Sequence, residues 1–125
     1  SKRDITIVDD QFGCPTSARS IATTIYVICT QFLNNNELDY GTFHYTNSPP
    51  TSWYLFAKDI VKLAYKNKII DEPRYIKPIS YKDYETVARR PQNSSLSSEK
   101  ISNVFGIETL KWKKELEVVM SSLLI

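Results

Sequence analysis

Two stretches concentrate side chains from which a binding site could be built. In Ala88-Arg89-Arg90-Pro91-Gln92-Asn93-Ser94 the proline steers Arg90 toward an extended conformation, so two guanidinium groups stand on a loop instead of folding onto a helix. Planar forks of this kind suit carboxylate or phosphate recognition. The plainer alternative is an arginine pair that braces its own loop against Asp and Glu side chains. The other stretch, Asp9-Asp10-Gln11-Phe12-Gly13-Cys14-Pro15-Thr16, sets one of the chain's three glycines beside a cysteine and a proline, just ahead of a long apolar-periodic segment. It reads as a strand-to-helix turn in which Gly13 relieves the backbone constraint. Whether that turn also borders a site depends on what it faces.

Catalytic motifs are scarce. Glycine occurs only at positions 13, 41 and 106, so no glycine-rich loop can bring backbone amides against a dinucleotide pyrophosphate. Tyr54-Leu55-Phe56-Ala57-Lys58 matches Tyr-x-x-x-Lys, the spacing by which a helix sets a lysine beside a tyrosine and lowers its pKa for proton transfer. A pattern with so few fixed letters arises easily by chance, and without a nucleotide-binding loop the pair has nothing to protonate. The single histidine, His44, lacks the neighbouring cysteines or acids of a metal site and reads as a buried or half-buried structural residue inside a strand.

The elements that must position these residues follow from periodicity. Ile5 to Val8 is a β-branched run ended by Asp9, Asp10 and Gly13, which predicts a strand leading into a turn. A helix starts at Thr16, and Ala18, Ile21, Ala22, Ile25, Ile28, Cys29, Phe32 and Leu33 recur along it as one apolar stripe until Asn34 to Asn36 stop it. Thr42 to Tyr45 (TFHY) predicts a second strand. The next helix starts at Thr51 or Ser52 and carries Trp53, Phe56, Ala57, Ile60, Val61 and Ala64 on one face. Tyr75 to Ser80 is a third extended segment, with Pro78 favouring an edge. Ser97 is placed to cap a short helix ended by Gly106, and a last helix carries Trp112, Leu116, Val119, Met120 and Leu123 on one face.

Composition narrows the function classes. At 125 residues the chain is one domain's worth, 42% hydrophobic and 24% charged, as expected of a soluble globular protein. Its 16 basic and 14 acidic residues are dispersed, without the basic stripe that a phosphate backbone requires, so nucleic acid is not an expected partner. Lys111, Lys113 and Lys114 read as the wet face of a helix. The most apolar run, Ile21 to Cys29, is far shorter than the roughly 20 residues of a membrane span. No membrane partner is expected. Cys14 and Cys29, without a signal peptide, fit reduced cytoplasmic thiols better than a disulfide, and the Asn93-Ser94-Ser95 sequon then carries no meaning.

Taken in order, Asp10-Gln11-Phe12-Gly13-x-Pro15-Thr16 with Ile21-Ala22, Gly41-Thr42-Phe43-His44, Thr51-Ser52-Trp53-Tyr54-x-Phe56-Ala57, Ala88-Arg89-Arg90-Pro91-x-Asn93-Ser94-x-Leu96 and Phe105-Gly106-Ile107 resemble the C-terminal half of the dTDP-4-dehydrorhamnose reductase family. The first and fourth blocks together are the specific part, and the resemblance covers nearly the whole chain, residues 1–125, as one substrate-binding domain. It implies membership of the extended short-chain reductases, whose N-terminal Rossmann part binds NADPH and bears the catalytic Tyr-x-x-x-Lys. The implied fold is α/β: a small helix-rich C-terminal lobe with about four helices and three or four short strands, lacking the Rossmann core. The implied activity of the complete enzyme is reduction of dTDP-4-dehydro-L-rhamnose to dTDP-L-rhamnose. The chain opens with Ser-Lys-Arg rather than Met, which fits a shortened chain or the product of a split gene.

By the same resemblance, Gln11, Phe12, Gly13, Pro15 and Thr16 face the substrate cleft from one side, and Arg89, Arg90, Asn93 and Ser94 line it from the other, the arginines serving the diphosphate. No cofactor is expected on this chain alone. The expected ligand is a dTDP-sugar. The expected protein partner is a separately encoded N-terminal Rossmann half or a second copy, reached through TFHY as an unpaired strand edge. Two other readings stay open: a non-catalytic interaction module, since a regulatory subunit of methionine adenosyltransferase shares this resemblance, and a degenerate remnant of the reductase.

Overall fold

Short extended runs alternate with amphipathic helices in the computed structural model of the chain, which describes residues 4–123. The order is β1 (Ile5–Val8), β2 (Phe12–Gly13), α1 (Ala18–Asn35), β3 (Thr51–Ser52), α2 (Trp53–Lys66), β4 (Ile76–Ile79), α3 (Glu99–Phe105) and α4 (Trp112–Ser122). The architecture is α/β. β1 and β4 pair in parallel, Ile5 opposite Ile76 and Ile7 opposite Pro78, while β2 and β3 pair antiparallel, Phe12 opposite Ser52.

Local chemistry explains the helix ends. The Ser17 hydroxyl accepts from the Ser20 amide to cap α1, and Asn36 in the left-handed region closes it. The cap falls on Ser17 rather than Thr16, whose hydroxyl instead donates to the Cys14 carbonyl at 2.8 Å. Ser52 caps α2 through the Leu55 amide. α3 begins one residue beyond Ser98, with the Ser97 hydroxyl accepting from the Glu99 amide, and ends on Gly106 at φ 67°. That left-handed geometry favours glycine.

The core is two clusters. Ala64 of α2 packs with Trp112, Leu116 and Met120 of α4, joined by Phe56, Ile60, Leu63 and Ile70. Ile101 and Phe105 of α3 pack with Ile107 against Val27 and Ile28 of α1 and against Leu38, Phe43 and Tyr45. Val119 and Leu123, expected on the core face of α4, are exposed, and Glu115 is buried in their stead.

Three expectations need correction. The apolar stripe of α1 exists but turns only its Ile28 edge to the core. Ser20 and Thr24 are the buried residues, and Ile21, Ile25, Cys29, Phe32 and Leu33 look outward. Small polar side chains let α1 approach the rest of the lobe closely, so the apolar face is left for the far side. Second, Thr42–Tyr45 forms no strand and makes no backbone–backbone hydrogen bond among the described residues. Phe43 and Tyr45 nevertheless turn inward while Thr42 and His44 are exposed, the alternation of an extended edge. Third, His44 is therefore a surface residue, not a buried one.

Candidate functional site

The site is built on three consecutive residues, Asp10, Gln11 and Phe12, where the chain leaves β1. The Asp10 carboxylate accepts from the Ser80 hydroxyl at 2.7 Å and the Tyr81 amide at 2.8 Å, fixing the chain just beyond β4. Desolvation opposes its ionisation, yet these two hydrogen bonds prevail and hold its pKa below the ordinary aspartate value. The Gln11 carbonyl accepts from the Trp53 amide at 3.3 Å. The Phe12 amide donates to the Gln92 carbonyl at 2.7 Å, and its carbonyl accepts from the Ser94 amide at 2.9 Å. One extended segment thus tethers both ends of the 81–94 loop and the start of α2.

Between them opens a cleft of about 980 Å³. Its lining includes Gln11, Trp53, Tyr81, Tyr84, Arg89 and Arg90, together with Lys82, Glu85 and Ser94. Aromatic faces and paired guanidinium groups in one concavity suit a ligand with both a flat ring and an anionic group.

Of the residues expected at the site, Gln11, Arg89, Arg90 and Ser94 come together here. Phe12 is exposed but off the cleft lining, Gly13 and Pro15 are buried beneath the turn, and Thr16 is half-buried, with its hydroxyl accepting from the Asn47 amide. Asn93 lies in the bridge to Phe12, its side-chain oxygen accepting from the Ser95 amide and hydroxyl. Gly13 has no left-handed φ; its service is room, because a Cβ there would sit 2.9 Å from the Ser94 Oγ. Trp53 was within reach of sequence reasoning, as the first residue after a serine cap. Tyr81, Tyr84 and the Asp10 tether were not, because only the fold carries the loop after β4 back to the end of β1.

A second polar group lies beneath the turn. Glu115, 7% exposed, accepts from the Ser17 hydroxyl at 2.6 Å and the Ser20 hydroxyl at 2.8 Å. The Ser17 bond outweighs desolvation, with help from Ser20 and the charge of Arg19, so its pKa is lowered. Asn47, fully buried, accepts from the Ser17 amide and donates to the Ser20 hydroxyl and, at 3.4 Å, to the Tyr45 hydroxyl. This network joins α1 to α4 and holds the turn that carries Gln11.

Other chemistry is thin. Lys58 sits over the Tyr54 ring at 5.4 Å from its centroid. Among the described residues no group of three or more His, Cys, Asp or Glu is arranged to hold a metal, Cys14 and Cys29 are free, and no helix is long and apolar enough to cross a membrane.

Residues 1–125 match the family described as the RmlD substrate binding domain. The chain belongs to that family. It is 36% identical over 116 residues to a dTDP-4-dehydrorhamnose reductase of Aggregatibacter actinomycetemcomitans, covering 92% of this chain and 40% of that protein. It is 33% identical over 123 residues to one of Sinorhizobium fredii, covering 98% and 41%. The chain therefore spans about two-fifths of the length of these relatives. A dTDP-4-dehydrorhamnose reductase of Clostridium acetobutylicum superposes with a TM-score of 0.76 at 27% identity over 98% of this chain and 39% of its own. That of Bacillus anthracis, solved in complex with NADP, gives 0.76 at 26% identity over 96% and 39%. The family match agrees with the sequence resemblance.

Proposed function

We propose that this chain is the nucleotide-sugar-binding part of a dTDP-4-dehydrorhamnose reductase, binding a dTDP-sugar in the Gln11–Trp53–Arg89–Arg90 cleft and inactive on its own. The observation that carries this is the tethering of three walls to Asp10, Gln11 and Phe12, which sets aromatic rings and an arginine pair around one cavity. Arg89 and Arg90 would take the diphosphate through charge-assisted hydrogen bonds, and Trp53 or Tyr84 would stack on the base. Gln11 and Ser94 supply the uncharged hydrogen-bonding groups that sugar hydroxyls require.

The hydride of the complete enzyme's reaction, reduction of dTDP-4-dehydro-L-rhamnose to dTDP-L-rhamnose, would come from NADPH. This chain's residues do not fit that cofactor: none of its three glycines belongs to a pyrophosphate-cradling loop. Its role is to hold and orient the sugar nucleotide while the cofactor and the proton donor are supplied from elsewhere, in the cytoplasm where such sugar nucleotides are made. Thr42–Tyr45 remains the candidate edge for a separately encoded N-terminal half or a second copy. Slow hydrogen exchange of its amides in a monodisperse monomer would remove it from consideration.

The test is a titration of the purified chain with dTDP-L-rhamnose and, separately, NADPH, followed by amide NMR. Shifts with the sugar nucleotide alone, centred on residues 9–12 and 81–94, are expected. Silence with the sugar nucleotide in a folded sample would overturn the reading.

A further inference from the structure

The loop that brings tyrosines and arginines to the cleft is held at its two ends by different kinds of anchor. At the first end the anchor is one side chain, the Asp10 carboxylate, which accepts from the Ser80 hydroxyl at 2.7 Å and the Tyr81 amide at 2.8 Å. On that base the chain winds a tight turn. The Ser80 hydroxyl accepts from the Lys82 amide at 3.4 Å, the Ser80 carbonyl from the Asp83 amide at 3.0 Å and the Tyr81 carbonyl from the Tyr84 amide at 3.4 Å. At the other end the anchor is backbone, with the Phe12 amide and carbonyl bonded to the Gln92 carbonyl and the Ser94 amide. Between the anchors residues 85–91 are exposed, Val87 fully so. Among the described residues their hydrogen bonding is internal, from the Thr86 hydroxyl to the Ala88 carbonyl at 2.9 Å. An arc so sparsely tied transmits little of one anchor's hold to the other end.

The two anchors therefore hold different cleft residues. Tyr81 and Tyr84 stand on the turn set by Asp10, while Arg89 and Arg90 stand on the run that leads to the Phe12 bridge. A nucleoside diphosphate divides its chemistry in the same way, between a flat ring that packs on aromatic faces and a diphosphate that takes guanidinium forks. Asp10 itself is not among the residues that line the cleft. We infer that Asp10 is a positioning residue for the nucleoside: it seats the tyrosine half of the loop on which the base packs, while Phe12 places the arginine half and its diphosphate independently. Asp10 thereby sets how strongly the cleft prefers a nucleotide to a bare diphosphate. The assignment rests on the proposed sugar-nucleotide cleft.

The test separates the two halves of the loop by ligand. Amide NMR titrations give the affinity of the chain and its variants for dTDP-L-rhamnose and for inorganic pyrophosphate. Asp10→Ala is expected to weaken the sugar nucleotide by about tenfold and to leave pyrophosphate within about twofold. Asp10→Asn keeps an oxygen for the Tyr81 amide and offers its own amide nitrogen to the Ser80 oxygen, so it recovers most of the loss. In a double-mutant cycle Asp10→Ala adds little to Tyr84→Ala but adds in full to Arg89→Ala, because a positioning residue acts only through the group it positions. Ser80→Ala removes one of the two bonds, gives the same pattern at about threefold, and serves where Asp10→Ala does not fold. Equal weakening of both ligands, or a loss that adds in full to Tyr84→Ala, would overturn the inference and make Asp10 a brace for the lobe as a whole. Undiminished sugar-nucleotide affinity in the folded variants would overturn it too. A parent chain silent toward dTDP-L-rhamnose would overturn the proposed function, and this assignment with it, before any variant is read.

Discussion

At the scale of single residues, Glu115 is a buried carboxylate whose protonation is coupled to the lobe's stability. Its pKa is lowered in the folded chain, so the unfolded chain binds the extra proton first, and stability is complete above the ordinary glutamate range and falls with pH through the folded value. Glu115→Gln keeps an oxygen for the Ser17 and Ser20 hydroxyls but cannot titrate. Its denaturation midpoint should therefore vary less between pH 6 and 3 than that of the parent chain, and an unchanged acid limb would show that other groups set it. Gly13 makes a different case. With no left-handed φ to protect, alanine there would gain about 0.4–1 kcal/mol from the unfolded state, but its Cβ meets the Ser94 hydroxyl that donates to the Phe12 carbonyl. Gly13→Ala is expected to destabilise the chain by about 1 kcal/mol, and adding Ser94→Ala to erase that loss. Urea denaturation of the two variants and the double variant decides it.

At the scale of elements, the 81–94 loop owes its place to tethers at its ends, while its middle is exposed. Arg89 and Arg90 are both on the surface, so Arg89→Ala or Arg90→Ala should leave stability within about 0.5 kcal/mol. Each would weaken dTDP-L-rhamnose binding roughly tenfold to a hundredfold if it meets the diphosphate. Calorimetric titration checks both numbers, and unaltered affinity in both variants would return the arginines to bracing their loop. Elements of this kind were readable in the sequence to different depths. β1, the caps near Ser17 and Ser52, and the Gly106 stop rest on local chemistry, and local chemistry is what a sequence shows. The stripe of α1 was readable as a stripe, but periodicity alone cannot say which side of a helix meets the core. Trp53 and Arg89 could be named from motifs, whereas Tyr81, Asp10 and Glu115 act through partners about 70 to 98 residues away.

At the scale of the whole lobe, the governing fact is that the described residues bury two apolar clusters and no single continuous one. The α2–α4 cluster and the α1–α3 cluster are distinct, and polar side chains from Ser17, Ser20, Asn47, Tyr45 and Glu115 lie between them. Asn47 is the knot, because its side chain serves the α1 cap region on one side and the Tyr45 segment on the other while being wholly buried. Asn47→Ala leaves the Ser17 amide without its acceptor and the Ser20 hydroxyl without a donor, in a site that alanine does not fill. A loss of about 2–3 kcal/mol follows from orphaned buried polar groups. Where the loss appears matters more than its size. If the network couples the two clusters, amides of α1 and α3 will exchange faster in the variant while those of α2 and α4 keep their protection, and the unfolding transition will broaden as the halves separate. If both clusters lose protection together and the transition stays sharp, the lobe is a single cooperative unit, and Asn47 stabilises it as any buried amide would.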